Sequence, residues 1–314
     1  MHCSYCIVPK VRSHLWSRPI VEILDECRRL VRHGHREIVL TGVHLGHYGA
    51  TTVRGDRCGS HNAGAAEEEL RGRDIGTVRL GPTQPEADLA ALVRRVLDLE
   101  GTFRIRLSSL EPSEVTPELL ELMAAAPDRI CPHLHLPMQS GSDAVLERMC
   151  RPWSAVRFVD RCREFAEALD QPALTTDVIV GFPGETEADF EATCRAVEGL
   201  GFAKIHVFRF SRREGTPAAS MPDPVPPEIQ RRRASQLAEI GRRLGHRYCQ
   251  SLIGRRLQVL VESALPGNPG MVAGTADRYV QVEMWGGEES LHQLVNIVAC
   301  KAIGARIRAE ARHT

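Results

Sequence analysis

The sequence predicts an α/β protein in which a parallel (β/α) sheet or barrel precedes a small C-terminal β-barrel, and three observations predict this. A helical segment, a buried strand and a glycine-rich or polar turn recur about five times along the chain. A proline-rich stretch, 217–227, interrupts the repeat. Beyond the next helix, short alternating strands are separated by turn clusters such as 266–270. We therefore expect a core over 1–225, a basic connecting helix over 226–250 and a β-barrel domain over 251–314.

Composition limits the class of protein. The 314 residues carry 40 basic and 40 acidic side chains, so net charge by itself indicates no partner. A hydrophobic content of 43% with 25% charged residues is that of a globular protein. The sequence has no apolar run long enough for a transmembrane helix and no secretory signal pattern at its start. Its 10 cysteines lack regular spacing, which suits a reducing compartment, so we expect a cytoplasmic protein with no membrane segment.

The core elements follow from their residue patterns. Apolar residues at helical spacing from 20 to 31 predict a helix, and residues 37–45 are typical of a buried strand that runs into a glycine turn. Residues 50–87 are rich in Gly, Arg, Glu and Asp without periodicity, which predicts a surface insertion. The later predictions are helices at 88–99, 117–126, 143–149 and 155–169, a helix ending at Leu200, strands at 103–110 and 204–210, and strand-and-turn segments at 133–141 and 173–185.

The C-terminal part has a different pattern. A basic helix is predicted from about residue 228 to residue 249. Alternating apolar residues then predict strands at 256–262, 279–282 and 296–308. Short strands of this kind within about 60 residues are typical of a small β-barrel.

Four unusual turns each follow a predicted core strand. They are Thr41-Gly42, Ser108 to Glu111, Gln139 to Gly141 and Gly181 to Gly184. Because the carboxyl ends of parallel strands meet at one edge, these turns should converge there and form a binding face.

Cys3 and Cys6 form a C-x2-C pair near the start of the chain. Two thiolates at this spacing can bind one metal centre. By itself the pair fits a zinc site, a redox pair or an iron–sulfur cluster. His133 and His135 alternate on a predicted strand, and we assign them no metal.

The residues after the pair narrow the choice. Ile7-Val8-Pro9, Arg12 and Ser17-Arg18-Pro19 resemble the motif of the radical S-adenosylmethionine methylthiotransferase family. That motif is C-x3-C-x2-C, in which Cys3 and Cys6 match the second and third ligands of a 4Fe–4S cluster. The first ligand would lie upstream of Met1. The resemblance implies a partial radical S-adenosylmethionine barrel that lacks its first strand. It also implies a missing N-terminal domain that carries a second 4Fe–4S cluster, so we expect a truncated chain.

The resemblance also implies cofactor contacts. The cluster would bind S-adenosylmethionine and cleave it reductively. Tyr5 is similar to the aromatic residue that flanks the adenine, and Thr41 and Gly42 match the turn that holds the methionine amino group. Ser108, Glu111 and Gln139 lie where ribose and carboxylate contacts are usual, and Gly181 and Pro183 match a strand end near the adenine. No catalytic residue is assigned.

Motifs in and around the turns at the strand ends also indicate a subgroup. Leu40 to Gly49, Leu107 to Pro112 and Cys131 to Pro137 resemble the enzymes that act on threonylcarbamoyladenosine in tRNA. The isopentenyladenosine subgroup usually has Gln-Asn where this chain has Val43-His44. The resemblance implies insertion of a methylthio group at C2 of the modified adenosine beside the anticodon. Three alternatives stay open: an isopentenyladenosine-specific enzyme, a non-catalytic RNA-binding remnant and a zinc-stabilised structural protein.

The C-terminal barrel resembles a TRAM domain, an OB-like RNA-binding module. Basic residues on the connecting helix and at the start of the barrel would then contact tRNA phosphates. The predicted contacts are Arg231, Arg232, Arg242, Arg243, Arg255 and Arg256. The family resemblance further implies an electron donor such as a flavodoxin or a ferredoxin.

Overall fold

The computed structural model describes residues 3–11, 16–50 and 88–311. The predicted insertion, apart from Ala50, and the motif residue Arg12 lie outside these ranges. Within the described ranges, no helix is both long enough and apolar enough to cross a membrane.

The core has five parallel strands in chain order, which form a two-stranded and a three-stranded sheet joined by isolated bridges and are called here together the core sheet. The strands are β1 (Glu37–Leu40), β2 (Arg104–Leu107), β3 (His133–His135), β4 (Ala173–Val180) and β5 (Lys204–Arg209). β1 pairs with β2, and β4 pairs with both β3 and β5, all in parallel. Parallel bridges from Ile105 to Ile130 and from Ser109 to His135 connect β2 to the β3 side. This sheet confirms the predicted parallel α/β core.

Helices alternate with these strands, and several begin where the sequence supplies a capping side chain. They are α1 (Val8–Val11), α2 (Ile20–Arg32), α3 (Leu89–Leu97), α4 (Pro117–Ala125), α5 (Asp143–Arg148), α6 (Ala155–Ala168) and α7 (Glu187–Leu200). Asp88 caps α3 by accepting a hydrogen bond from the Ala91 amide at 2.8 Å. Thr186 and Asp189 form a capping box at the start of α7, which ends at Gly201 in the left-handed conformation.

The two faces of the core sheet differ in polarity because side chains alternate along each strand. One face packs apolar residues into the main hydrophobic core, including Ile38, Leu40, Ile105, Leu107, Leu134, Leu174, Val178 and Val180. The opposite face, called here the inner face, carries polar side chains on all five strands. They are Glu37, Arg104, Arg106, His133, His135, Thr175, Asp177, Lys204 and His206.

The C-terminal part is a long helix followed by a closed five-stranded barrel. The elements are α8 (Pro227–Ser251), β6 (Arg256–Ala264), β7 (Met271–Ala276), β8 (Gln281–Trp285), β9 (Leu294–Ile303) and β10 (Arg306–Ala311). The barrel closes in the order β10-β8-β7-β6-β9, with β8 and β10 parallel and the other pairs antiparallel. This is the strand order of an OB-fold, as the sequence predicts.

The sequence prediction for the individual barrel strands was wrong in two places. The predicted single strand 296–308 is the hairpin of β9 and β10, which turns at Gly304 with φ 57°. The strand β7 was missed because Ala273, Gly274 and Ala276 dilute its apolar alternation. Gly274 is required where it stands, since a Cβ atom there would lie 2.0 Å from the Leu260 carbonyl oxygen.

The barrel is attached at the amino ends of the core strands. Tyr279, in the turn between β7 and β8, stacks on His133 with ring centroids 4.4 Å apart. Beside it, Arg278 Nη2 donates to the Asp170 carbonyl at 3.0 Å. The Tyr248 hydroxyl on α8 donates to the Gln171 carbonyl at 2.9 Å. The barrel therefore covers the amino ends of the sheet and leaves its carboxyl ends for other contacts.

One carboxylate holds this junction together. Glu37 accepts hydrogen bonds from Arg104 Nε at 2.6 Å and from Arg106 Nε at 2.8 Å. The same two guanidinium groups donate to barrel carbonyls, Arg104 to Thr275 at 2.9 Å and Arg106 to Ala276 at 3.0 Å. Burial by itself would raise the pKa of Glu37, but the two arginines outweigh burial and hold it below its ordinary value.

We expect Glu37→Gln to lower the free energy of unfolding by about 3–5 kcal/mol, because it leaves two buried guanidinium groups without their anion. Because the folded-state pKa of Glu37 is depressed, its contribution is present above the ordinary value of 4.5 and is lost as the pH falls through the folded-state pKa. Urea denaturation at neutral and acidic pH measures both effects.

The matched control is Glu239→Gln, which removes an exposed ion pair with Arg242. This variant should change the free energy of unfolding by less than about 1 kcal/mol. Equal losses in the two variants would contradict the role assigned to Glu37.

Candidate functional site

The Cys3–Cys6 loop lies at the carboxyl edge of the core sheet, and Ser4 holds it there. Ser4 is buried, its hydroxyl donates to the Arg148 carbonyl at 2.7 Å, and its amide donates to the Met149 carbonyl at 3.1 Å. These carbonyls belong to the C-terminal end of α5. The Cys6 amide donates to the Cys3 carbonyl at 3.1 Å and closes the loop into a turn. Three backbone and side-chain bonds therefore place both thiols.

Arg151 connects this loop to the ends of two strands. Its Nη1 donates to Cys3 Sγ at 3.3 Å, and its Nη2 donates to Glu111 Oε2 at 2.7 Å and to the Pro137 carbonyl at 3.1 Å. Its guanidinium lies 4.0 Å from the centroid of the Trp153 ring. This contact fixes the position of the Cys3 sulfur beside Glu111 and the end of β3. Sequence reasoning missed Arg151, which follows a helix and lies in none of the motifs.

Glu111 is linked to this loop through Arg151. Burial raises its pKa to about 7, and Glu114 adds to the rise, while Arg151 opposes it. The Glu111 amide donates to Glu114 Oε2 at 2.9 Å, which keeps the two carboxyl groups close together. Near neutral pH Glu111 can therefore accept or donate a proton at the carboxyl edge of the sheet, called the rim below.

Tyr5 contributes one wall of an aromatic cluster. Its ring meets the Phe182 ring edge to face at 6.3 Å, and Phe182 meets Phe210 at 5.2 Å. Burial raises the pKa of the Tyr5 hydroxyl well above its ordinary value, so the hydroxyl stays protonated. These rings form an apolar surface directly beside the two thiols, as a flat aromatic ligand requires.

The turns predicted at Gln139 and Gly181 have the backbone geometry of tight turns. Gln139 has φ 66°, its amide donates to the Asp177 carbonyl at 2.8 Å and its carbonyl accepts from the Ile179 amide at 2.9 Å. Gly181 has φ 74°, and a Cβ atom there would lie 2.3 Å from Gln230 Cγ. The Gly181 amide donates to Glu185 Oε2 at 2.6 Å, which supports a structural role for Glu185.

Pro183 lines a cleft of about 300 Å³ beside the aromatic cluster. Phe210, Arg212, Met221 and Gln230 contribute to the other walls. The cleft therefore combines apolar surface with one exposed guanidinium group.

Thr41, Gly42 and Ser108 lie at the same carboxyl edge. Thr41 and Gly42 follow β1 directly and are exposed. The Ser108 amide donates to the Leu40 carbonyl at 3.0 Å, while its buried hydroxyl has no hydrogen-bond partner among the described residues. Burying a hydroxyl without a hydrogen-bond partner costs free energy, so the Ser108 hydroxyl is available to form a hydrogen bond with a ligand.

Cys3 and Cys6 supply two of the three thiolates that the motif implies, and the groups around them fit the implied cofactors. Cys3 and Cys6 are both free thiols and both half-buried, and an arginine contacts one of them. The Ser108 hydroxyl, the Glu111 carboxyl group and the Tyr5 ring surround the same edge. These groups suit iron ligation next to a polar and aromatic nucleoside.

The six predicted RNA contacts lie on α8 and at the start of the barrel. Four of them form ion pairs: Arg232 with Glu187, Arg242 with Glu239, Arg243 with Glu198 and Arg255 with Asp170. Arg231 and Arg256 are exposed and have no carboxylate within 4.0 Å among the described residues. The six arginines therefore differ in whether the guanidinium group is already paired with a carboxylate.

We expect Glu111→Gln to change the pH dependence of stability. The folded-state pKa of about 7 exceeds the ordinary value of 4.5, so the contribution of Glu111 to stability is present below pH 4.5 and is lost as the pH rises to 7. Gln cannot ionise, so the variant should gain up to about 3 kcal/mol relative to the wild type between those limits. Urea denaturation at several pH values tests this, and a constant difference would contradict it.

Comparisons with known proteins show the family to which the chain belongs. The Radical SAM superfamily profile matches residues 1–197. The threonylcarbamoyladenosine tRNA methylthiotransferase MtaB of Bacillus subtilis (strain 168) is 35% identical over 302 residues, which cover 96% of this chain and 60% of that protein. The tRNA-2-methylthio-N(6)-dimethylallyladenosine synthase of Desulfitobacterium hafniense (strain Y51) is 33% identical over 99% of this chain and 62% of that protein.

The chain spans about three fifths of the length of these curated relatives. Among solved structures, methylornithine synthase (PylB) superposes with a TM-score of 0.43 at 16% identity, covering 76% of this chain and 59% of that one. The profile covers well over half of the chain and includes both thiols, Glu111 and Arg151. The chain belongs to the Radical SAM superfamily.

Proposed function

We propose that this protein is a tRNA methylthiotransferase that inserts a methylthio group at C2 of N6-threonylcarbamoyladenosine beside the anticodon by radical S-adenosylmethionine chemistry. The observation that carries the proposal is the Cys3–Arg151–Glu111 arrangement at the carboxyl edge of a parallel sheet. The name of the Bacillus subtilis relative supports the tRNA substrate and the transferred group.

Cys3 and Cys6 would hold a 4Fe–4S cluster, which when bound supplies the electron that cleaves S-adenosylmethionine to a 5′-deoxyadenosyl radical. Arg151 holds Cys3 in place and keeps its sulfur polarised. Glu111 and the Ser108 hydroxyl offer hydrogen bonds to the ribose of S-adenosylmethionine. Tyr5 and its neighbouring rings pack against the adenine and exclude water from the radical.

The turns complete the cofactor site in this proposal. Thr41 and Gly42 hold the methionine end, and Gln139 contacts the ribose or the carboxylate. Gly181 and Pro183 line the adenine side. A flavodoxin or a ferredoxin would supply electrons. A second 4Fe–4S cluster on another part of the protein would donate sulfur, and the reaction would take place in the cytoplasm.

We expect the full-length protein, reconstituted anaerobically with iron and sulfide, to bind a cluster whose EPR signal shifts when S-adenosylmethionine is added. Cys3→Ala and Cys6→Ala should each abolish the signal and the cleavage of S-adenosylmethionine. Cys300→Ala is the matched control, because Cys300 is an exposed thiol on the barrel. Mass spectrometry of tRNA nucleosides then tests for the methylthio product.

Two outcomes would contradict the proposal. Equal iron content in the Cys3→Ala variant and the wild type would exclude the assigned ligands. Tight tRNA binding without any cleavage of S-adenosylmethionine would instead indicate a non-catalytic RNA-binding protein.

We further propose that α8 and the β-barrel bind tRNA through phosphate contacts. α8 has 25 residues, so it spans about 37 Å between the rim and the barrel. A paired arginine must leave its carboxylate before it can bind a phosphate, whereas Arg231 and Arg256 need not. These two residues should therefore contribute more to affinity than their paired neighbours.

We expect Arg231→Gln with Arg256→Gln to weaken tRNA binding and to lower the slope of log affinity against log salt by about 1 to 2. Arg242→Gln with Arg243→Gln is the matched control, since both of these arginines are in ion pairs on the same helix. The control should lose less affinity. Equal losses, measured by filter binding at several salt concentrations, would contradict the ranking.

A further inference from the structure

The inner face of the core sheet has polar groups that the barrel junction does not use. Glu37, Arg104 and Arg106 bind each other and the barrel, and His133 stacks on Tyr279. Four other side chains lie nearer the carboxyl edge or the open side, and we call them the inner polar cluster: His135, Asp177, Lys204 and His206. No step proposed above for the thiols or the cofactor involves them.

The cluster is held in register by three adjacent strands. Asp177 on β4 is paired with His206 on β5, so their side chains point to the same side. His135 Nε2 lies 3.4 Å from Asp177 Oδ1, and its Nδ1 lies 2.9 Å from Thr175 Oγ1. The ring centroids of His135 and His206 are 5.9 Å apart. These groups are half-buried, so a ligand can still reach them.

Lys204 adds a positive charge to the cluster. It is exposed, and it has no carboxylate within 4.0 Å among the described residues. Its Nζ lies 5.3 Å from the centroid of the Tyr279 ring. Lys204 and His206 are two residues apart on β5, so their side chains lie on the same face. Burial and the charge of Lys204 lower the pKa of His206, and Asp177 opposes this effect. His135, Asp177 and His206 are close enough to share a metal ion, but the neighbouring Lys204 charge favours an anionic group there.

On the same face, apolar side chains lie nearer the carboxyl edge of the sheet than the inner polar cluster does. Val39 on β1 and Phe208 on β5 are each 51% exposed, and Ile179 on β4 is paired with Phe208. Exposed apolar side chains on a sheet face can mark a binding surface. Two residues along a strand correspond to about 6.6 Å, so the apolar layer and the polar cluster form two tiers of the same face.

This two-tier face matches a base that carries a polar substituent. The two curated relatives act on adenosines that differ in the N6 group, one threonylcarbamoyl and one dimethylallyl. A threonylcarbamoyl group carries a carboxylate, a hydroxyl and a urea, whereas a dimethylallyl group carries no polar atom. Burying Lys204 against an apolar group would leave its ammonium without a hydrogen-bond partner, which is strongly unfavourable.

We infer that the inner polar cluster is the subsite for the threonylcarbamoyl substituent of the substrate adenosine and selects it over an apolar N6 group. Lys204 and His206 bind the threonine carboxylate. Asp177, oriented by His135, accepts from the urea N–H or from the hydroxyl. Val39, Ile179 and Phe208 pack against the base, which brings C2 toward the rim. This assignment rests on the proposed function.

The test compares the binding of two nucleosides to the intact protein by isothermal titration calorimetry. The wild type should bind N6-threonylcarbamoyladenosine about tenfold or more tightly than N6-dimethylallyladenosine, since charged hydrogen bonds distinguish them. Lys204→Met with His206→Leu should remove this preference by weakening the first nucleoside about tenfold or more and leaving the second unchanged or tighter. Asp177→Asn, which keeps the shape of the side chain, should cause a smaller loss.

The matched control is Lys301→Met with His35→Leu, which removes the same residue types at exposed positions away from the sheet. It should bind both nucleosides as the wild type does, and thermal unfolding of each variant confirms that it is folded. The subsite would be overturned if the wild type bound the two nucleosides equally, preferred the dimethylallyl form or bound neither. It would also be overturned if the preference survived in Lys204→Met with His206→Leu.

Mass spectrometry of tRNA separates this inference from the proposed function. A methylthio group found only on dimethylallyladenosine would overturn the subsite and leave the methylthiotransferase chemistry intact. Absence of any methylthio product, together with a preference in nucleoside binding that depends on Lys204 and His206, would overturn the chemistry and support the subsite.

Discussion

The carboxylate of Glu37 is the constraint on which the arrangement of the molecule depends. It neutralises Arg104 and Arg106, two guanidinium groups that would be very costly to bury without an anion. Because the same guanidinium groups also donate to barrel carbonyls, the ion pair attaches the C-terminal barrel to the amino ends of the core strands. One end of the sheet is thereby closed, and chemistry is confined to the other.

At the open end, Arg151 has a comparable organising role on a smaller scale. It contacts Cys3, Glu111 and the Pro137 carbonyl, which come from three separate segments of the chain. A planar group with several donors can bridge such segments at fixed angles, which a lysine could not do. The thiol loop, the acidic turn and the strand end are consequently held as one unit before any ligand binds.

The inner face between these two ends changes from charged to apolar in the direction of the rim. The groups at the amino ends of the strands are used by the barrel junction. The groups in the middle of the strands face a half-open space, and those nearest the carboxyl edge are exposed apolar side chains. The position of the barrel determines this gradient, because the junction uses only the lowest charges. The barrel junction and the proposed substrate subsite can therefore share one sheet without competing for the same residues.

Much of the fold followed from local patterns. The recurring strand, turn and helix segments predicted the parallel core, and the change to short alternating strands predicted the barrel, since periodicity records which faces are buried. The merged hairpin β9–β10 and the missed strand β7 show the limit of this approach. Gly304 and Gly274 are needed for a reversal and for a close approach to Leu260, and neither requirement is visible in a local pattern.

The sequence by itself determined the two thiols, the family motif and the turns at the strand ends, because these features are contiguous in the chain. Only the tertiary structure revealed Arg151 beside Cys3, the pKa of about 7 for Glu111 and the carboxylate partners of most of the basic residues on α8. These properties arise from burial and from contacts between residues far apart in sequence. His135, Asp177, Lys204 and His206 likewise form a cluster only because three strands are paired in register.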